Sequence, residues 1–171
     1  MDARVLYVDL EPSVAADGAT ILEGDDNAAY LCADVRDAEA ILGSAEARRL
    51  FDLDQPLAVL FIETLLYLSD SENPAYVVRS YVDRLPSGSY VGIVHFSEDE
   101  ELANGLGLFS RMFGTPPAVT LRDGDRVVEF LDGLDVEDPG VVPVPLWKPE
   151  AEGLVKNPDR VPVHAGLGRK P

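Results

Sequence analysis

Two apolar runs of this chain each close on an aspartate: Arg4-Val5-Leu6-Tyr7-Val8-Asp9 and Ala29-Tyr30-Leu31-Cys32-Ala33-Asp34. In an open α/β sheet, ligands bind beyond the carboxyl ends of the strands. A carboxylate there is placed to accept both hydroxyls of a ribose. A second, one strand further out, can accept from an adenine amino group. The plainer reading is that Asp9 caps the following helix or solvates a loop, but two aspartates at corresponding places favour the nucleoside reading. Two more residues could act as a base, Glu63 after Leu57-Ala58-Val59-Leu60-Phe61-Ile62 and His95 near the end of Ser89 to Phe96. A lone His at the end of a buried strand is more often a hydrogen-bonded structural residue. Glu63 could equally cap the turn after its strand, and His164 reads as structural.

Other constellations carry less. No Gly-x-Gly-x-x-Gly joins a strand to a helix; Gly105-Leu106-Gly107 falls inside a helical pattern and Gly166-Leu167-Gly168 near the C-terminus. Both read as packing or turn glycines. Tyr67 and Trp147 could form an aromatic wall, although single aromatics are usually core. The acidic run Ser97 to Glu101 reads as a solvated helix start, where carboxylates favour the dipole. Asp25-Asp26 lacks the alternating oxygen ligands of a calcium loop, so no metal is expected.

The elements that position these residues follow from the spacing of apolar positions. The first aspartate-ended run reads as a strand because of its β-branched and aromatic content. Pro12 fits the first turn of a helix carrying Val14, Ala15, Ile21 and Leu22 on one face, and Gly18 weakens it by about 1 kcal/mol. The second run is a second strand. Helical sequence from Ala38 to Phe51 is split at Gly43, with Asp37 and Ser44 as N-caps. The uninterrupted apolar run Leu57 to Ile62 marks a strand covered on both faces. Asn73-Pro74 opens a helix with Ala75, Val78, Val82 and Leu85 at helical spacing, ending at Pro86-Ser87-Gly88. Ser89 to Phe96 is a fourth strand. Ser97-Glu98-Asp99-Glu100 reads as a capping box for a helix to about Phe113. A short helix spans Asp125 to Leu131 and stops at Gly133. Strands are expected near Leu134 to Val144 and Val161 to Leu167, around a Pro- and charge-rich loop from Trp147 to Pro158. Alternating strands and helices predict an α/β, doubly wound, mostly parallel sheet, with an antiparallel hairpin at its C-terminal edge.

Composition bounds the function. The chain has 171 residues, 46% of them apolar, enough for a core in one domain spanning residues 1–171. Fourteen Lys and Arg against 31 Asp and Glu leave a net charge of −17, which argues against nucleic acid as a partner. The single cysteine, Cys32, excludes an internal disulfide framework or a Cys-based zinc cluster. Met1-Asp2-Ala3-Arg4 does not read as a signal peptide, and no run approaches a membrane-spanning length. A cytoplasmic protein acting on a small molecule, with no membrane partner, is expected.

The runs ending in Asp9 and Asp37, the segment Gly88-Ser89-Tyr90-Val91, Phe130-Leu131-Asp132-Gly133-Leu134, Pro139 to Trp147 and the closing His164 to Lys170 resemble segments of actinobacterial S-adenosylmethionine-dependent methyltransferases. The resemblance runs over essentially the whole chain. It implies a class I, Rossmann-like fold of sheet order 3-2-1-4-5-7-6, with S-adenosyl-L-methionine as cofactor. It implies Asp9 on the ribose, Leu10 against the adenine, Asp34 on the adenine amino group and the Val35 amide at the ring. Glu63 and Thr64 would line the methyl side, with Thr64 and Tyr67 towards the acceptor. Family members also carry an N-terminal part with a first strand and glycine-rich loop that this sequence lacks. A domain incomplete in its central strand is therefore expected, either an enzyme once the site is completed or an inactive or regulatory remnant. An NAD-dependent oxidoreductase is a further alternative, because an aspartate on the ribose suits NAD too.

Overall fold

The computed structural model describes residues 3–114, 118–149 and 155–171. The readings placed on Met1-Asp2 and on the middle of the Trp147 to Pro158 loop lie outside the described residues.

Strand β1 (Val5–Asp9) pairs in parallel with β2 (Ala28–Cys32), from Val5 opposite Ala28 to Asp9 opposite Cys32. Between them runs α1 (Pro12–Ile21), with Pro12 in its first turn as expected. Gly18, which weakens this helix locally, is where the helix meets the sheet. A Cβ there would lie 2.2 Å from the Tyr30 ring. Tyr30 in turn stacks on Tyr7, with ring centroids 5.8 Å apart. The helix cost is accepted for a close approach that only glycine permits.

Helices α2 (Ala38–Leu42) and α3 (Ala45–Leu50) break at Gly43. Asp37 accepts from the Ala40 amide at 2.9 Å, and the Ser44 hydroxyl from the Ala47 amide at 3.1 Å, so both expected caps are present. Strand β3 (Ala58–Ile62) pairs in parallel with β4 (Tyr90–Phe96). The crossover contains α4 (Pro74–Arg84), capped by Asn73 with Pro74 in its first turn. Val77, Val78, Tyr81 and Val82 of α4 pack on Phe61, Val91 and Ile93 of the sheet. The Phe61 and Tyr81 rings meet edge to face at 5.3 Å. Leu6 and Val8 of β1 pack against this same core.

One expectation is corrected beyond β4. The helix α5 (Glu100–Phe113) is capped by Asp99, whose carboxylate accepts from the Leu102 amide, and not by Ser97. Ser97 is bound instead to Nδ1 of His164, brought alongside by the final strand. That strand, β7 (Val163–Arg169), forms with the Leu134 to Val144 region the expected antiparallel C-terminal unit at the sheet edge, and joins that unit to the sheet. It runs antiparallel along the whole of β4, from Tyr90 opposite Arg169 to Phe96 opposite Val163. Its other edge takes the short β5 (Asp135–Val136) and β6 (Val142–Pro143). Gly166 and Gly168 allow this, since Cβ atoms there would meet Val141 at 2.7 Å and Leu134 at 2.9 Å. The short helix α6 (Gly124–Glu129), followed by Phe130 and Leu131, closes the core on this side.

A second correction concerns β3. Strands β1 and β2 form one sheet, and β3, β4, β7 and β5 another; no hydrogen bonds join β1 to β3. The run Leu57 to Ile62 is accordingly not covered on both faces. Phe61 is buried, whereas Leu60 is 61% exposed and Ile62 56%. A continuous apolar run records that a strand can be sandwiched, and among the described residues nothing covers Leu60 and Ile62. The α/β class and a mixed sheet stand.

Candidate functional site

Because β1 and β2 are parallel and in register, their carboxyl ends lie together. Asp9 is the last residue of β1, and Asp34 lies two residues past β2. The ladder continues one step further, the Ala33 amide donating to the Asp9 carbonyl at 2.9 Å. The half-buried Asp9 accepts through Oδ1 from the Glu11 amide at 2.8 Å, while its Oδ2 has no hydrogen bond among the described residues. The cap of α1 is Glu11, so the helix-capping role considered for Asp9 belongs to its neighbour. Leu10 beside it is largely exposed.

Asp34 is held differently. Arg36 donates to both of its carboxylate oxygens, at 2.5 to 3.0 Å, and its backbone amide adds a bond at 2.9 Å. These bonds hold the Asp34 carboxyl below the usual carboxylate range. The guanidinium continues to Glu72 at 2.9 Å. Glu72 also accepts from the amide and hydroxyl of Ser69, which lower its own titration ahead of any effect of Arg36. This bridge is the geometric key to the rim, because it joins the segment after β2 to the segment after β3. The Tyr81 hydroxyl reinforces it, donating to the Val35 carbonyl at 2.8 Å. The Val35 amide is without a partner among the described residues.

On the β3 side of the rim, Glu63 takes a left-handed conformation with φ 58°. Its amide donates to the Val94 carbonyl at 2.9 Å, which turns the chain sharply into Thr64–Tyr67. Glu63 and Thr64 are half-buried and Tyr67 is exposed. Tyr67 does not pair with Trp147; the Lys148 ammonium lies 5.0 Å from the Trp147 ring instead. Beyond β4, a depression of about 620 Å³ is lined by Glu98, Asp99, Ala103, Val119 and Leu121. It adjoins the turn after β3, since the Thr120 amide donates to the Leu66 carbonyl at 2.8 Å.

His95 is not on this rim. It is fully buried, with Nδ1 2.8 Å from the Phe96 carbonyl and Nε2 accepting from Arg122 Nη1 at 3.1 Å. Burial, and then the Arg122 charge, lower its pKa against the raising effect of the Phe96 bond. Arg122, 3% exposed, also donates to the carbonyls of Leu65 and Leu68 and to Asp70. The hydrogen-bonded structural reading of His95 is the one its surroundings fit. His164 is also lowered by burial, with Asp123 opposing, and serves Ser97.

Sequence reasoning missed Arg36, Glu72 and Arg122. Ser69-x-x-Glu72 is a capping-box pattern directly before Asn73-Pro74 and could have been read. Nothing local marks Arg122, whose partners Leu65, Leu68, Asp70 and His95 are brought by the fold.

A model of a family described as S-adenosyl methyltransferase matches residues 1–171. The chain belongs to that family. Among solved structures it is similar to a protein from Thermobifida fusca described as a putative methyltransferase, 31% identical with a TM-score of 0.83. This match covers 99% of the present chain and 64% of that one. A DUF574 family protein from Streptomyces avermitilis is 28% identical with a TM-score of 0.81, covering 98% of this chain and 65% of that one. The chain thus spans just under two thirds of the length of these relatives. The N-methyltransferase NodS from Bradyrhizobium japonicum, solved with S-adenosyl-L-homocysteine, is 12% identical with a TM-score of 0.56 and shares the fold alone. No match is found among curated proteins. Membership of this methyltransferase family displaces the NAD-dependent oxidoreductase alternative. No helix among the described residues is long and apolar enough to cross a membrane.

Proposed function

We propose that this domain binds S-adenosyl-L-methionine on the rim formed by the carboxyl ends of β1 and β2, and presents it to a small-molecule methyl acceptor. The observation that carries the reading is Asp9, with one carboxylate oxygen engaged by the Glu11 amide and the other without a partner among the described residues. That oxygen suits a ribose diol, which offers two donors to a carboxylate. Leu10 supplies an apolar surface for the adenine face, and the unpartnered Val35 amide a donor for its ring. Asp34 fits less directly, because Arg36 already occupies both of its oxygens. It meets an adenine amino group when Arg36 yields one of them.

When bound, the cofactor supplies an electrophilic methyl group on a sulfonium. The protein's part in such a displacement is chiefly orientation. Thr64 and Tyr67 would orient the acceptor; a depression of a size suited to a small molecule lies beyond the same turn, lined by other residues. Glu63 is a carboxylate on that side that would take a proton from a hydroxyl or amine. His95 has no route to the rim.

The test is isothermal calorimetry of the intact protein with S-adenosylmethionine, S-adenosylhomocysteine and NAD. Heat with the first two, weakened about tenfold or more by Asp9→Asn, is expected. Equal affinity of Asp9→Asn and the parent protein would remove Asp9 from the site.

A further inference from the structure

A second recess lies at the other end of β3 from the rim, where α2, α3 and α4 converge. Its volume is about 230 Å³, and Leu42, Leu53, Leu57 and Leu85 supply its apolar walls. Leu57 stands just before β3 and Leu85 just after α4, so the recess opens beside the amino end of the strand whose carboxyl end carries Glu63. Two guanidiniums line it as well, Arg48 from the last turn of α3 and Arg84 from the last turn of α4. Apolar walls with a few placed polar groups are the usual make-up of a small-molecule site, the walls giving affinity and the polar groups orientation.

The two arginines are committed to different degrees. Arg84 donates to the Ser80 carbonyl at 2.8 Å and reaches Glu39 at 3.3 Å. The Glu39 side chain is 84% exposed, so this is a screened surface pair that a competing carboxylate can replace. Arg49 donates to the carbonyls of Asp26 and Ala28, whereas Arg48 beside it makes neither a hydrogen bond nor an ion pair among the described residues. Its Nη2 lies 3.7 Å from where a Cβ on Gly43 would stand, over the bare backbone that follows α2. The chain carries 31 carboxylates against 14 Lys and Arg, so most of its surface repels anions, and an unengaged guanidinium beside leucine walls is a place that draws one. Arg48 and Arg84 against Glu39 leave a single positive charge there, which complements a monoanion.

We infer that this recess binds a small apolar monocarboxylate, with its carboxylate on the Arg48 guanidinium and its hydrocarbon body against Leu42, Leu53, Leu57 and Leu85. A guanidinium meets a carboxylate through a fork of two parallel N–H donors, which fixes the direction in which the body enters. The recess is smaller than those that hold drug-sized ligands, which sets the occupant at about six to ten non-hydrogen atoms. Bound there, it ties α2 and α3 to α4 and stabilises the folded chain through its own binding. The site is separate from the cofactor rim and does not rest on the proposed function.

The probe is benzoate, set against benzamide, which keeps the ring without the charge, and inorganic phosphate, which keeps the charge without the ring. In an amide NMR titration of the full chain, benzoate should move Leu42, Gly43, Leu53, Leu57 and Leu85 and leave Asp9 and Glu63 in place. Benzamide and phosphate should each bind at least about tenfold more weakly. Arg48 is exposed, so Arg48→Met should keep the fold by circular dichroism and weaken benzoate about tenfold. Leu53→Ser should weaken it through the apolar wall, and Glu39→Gln should tighten it about twofold or more by releasing Arg84. Arg79→Met, on α4 but paired with Asp83, should change nothing. Equal binding by Arg48→Met and the parent protein, or shifts scattered away from the recess, overturns the inference. So does benzamide equal to benzoate, which would make the recess a neutral apolar pocket, or phosphate equal to it, which would make it a bare anion patch. Weaker binding by Glu39→Gln would contradict the charge assignment, and no shift at about 20 mM benzoate would remove the site altogether.

Discussion

Arg122 donates from Nη1 to Nε2 of His95 at 3.1 Å, and both side chains are closed to solvent. The bond requires a neutral imidazole with its proton on Nδ1, directed to the Phe96 carbonyl. Protonating Nε2 would set two cations against each other and leave a guanidinium donor without its acceptor.

The pH dependence of stability follows. His95 is lowered from its ordinary value of 6.5, with burial the main cause. In the folded state the ring stays neutral, whereas the unfolded chain takes up a proton as the pH falls through that ordinary value. Stability from this residue is therefore complete above it and declines as the pH falls towards the folded pKa. Urea unfolding from about pH 7.5 to 5 should show that decline, and His95→Gln should flatten part of it. His164 is lowered in the same direction and accounts for a share. A His95→Gln profile as steep as the parent's would contradict the assignment.

Arg122→Met keeps the length of the side chain and removes its donors. The carbonyls of Leu65 and Leu68 lose a buried partner, as does His95. The expected loss is about 3 kcal/mol in chemical denaturation, mostly from stranded acceptors and less from the exposed Asp70. A loss under about 1 kcal/mol would mean that water replaces the guanidinium at little cost.

Gly18→Ala raises helix propensity by about 1 kcal/mol at an ordinary helical site. Here the added methyl meets the Tyr30 ring at 2.2 Å. A net destabilisation of about 1–3 kcal/mol is expected, because the ring must leave its stack on Tyr7. In a Tyr30→Ala background the same change should become neutral or favourable. Thermal melts of the four proteins in the cycle give the coupling.

Arg36→Met should return the Asp34 carboxyl towards its ordinary value of 3.8, measured by carboxyl-carbon NMR titration. Global stability should barely change, since the pair faces solvent. An unmoved Asp34 titration would mean that its own Arg36 amide bond, rather than the guanidinium, sets the charge state.

Much of the local structure was legible because its causes lie within a few residues. Asp37, Ser44 and Asn73-Pro74 cap helices by reaching amides no more than three positions away, so the sequence pattern is the interaction. Ser97-x-x-Glu100 has the same form and failed because a distant residue competed. His164, opposite His95 in the β4–β7 register, takes the Ser97 hydroxyl, and Asp99 caps the helix instead. The site divides the same way. That two strands carry Asp9 and Asp34 near their ends is a matter of order along the chain. That Asp34 is already engaged, and that His95 is sealed beneath the rim, depends on Arg36 and Arg122, whose partners lie up to 57 positions away.

The amino-acid order alone thus determined the strands, most helix ends, the α/β class and the aspartates at the strand ends, because apolar periodicity and capping are short-range. Tertiary structure decided the rest. It placed β7 inside the sheet beside β4, bound β2's end to β3's through Arg36 and Glu72, and left Leu60 and Ile62 uncovered beside an open edge. An apolar run is written the same way whether its neighbour is present or absent. Only the pairing of backbone groups across space shows which of its edges is still free.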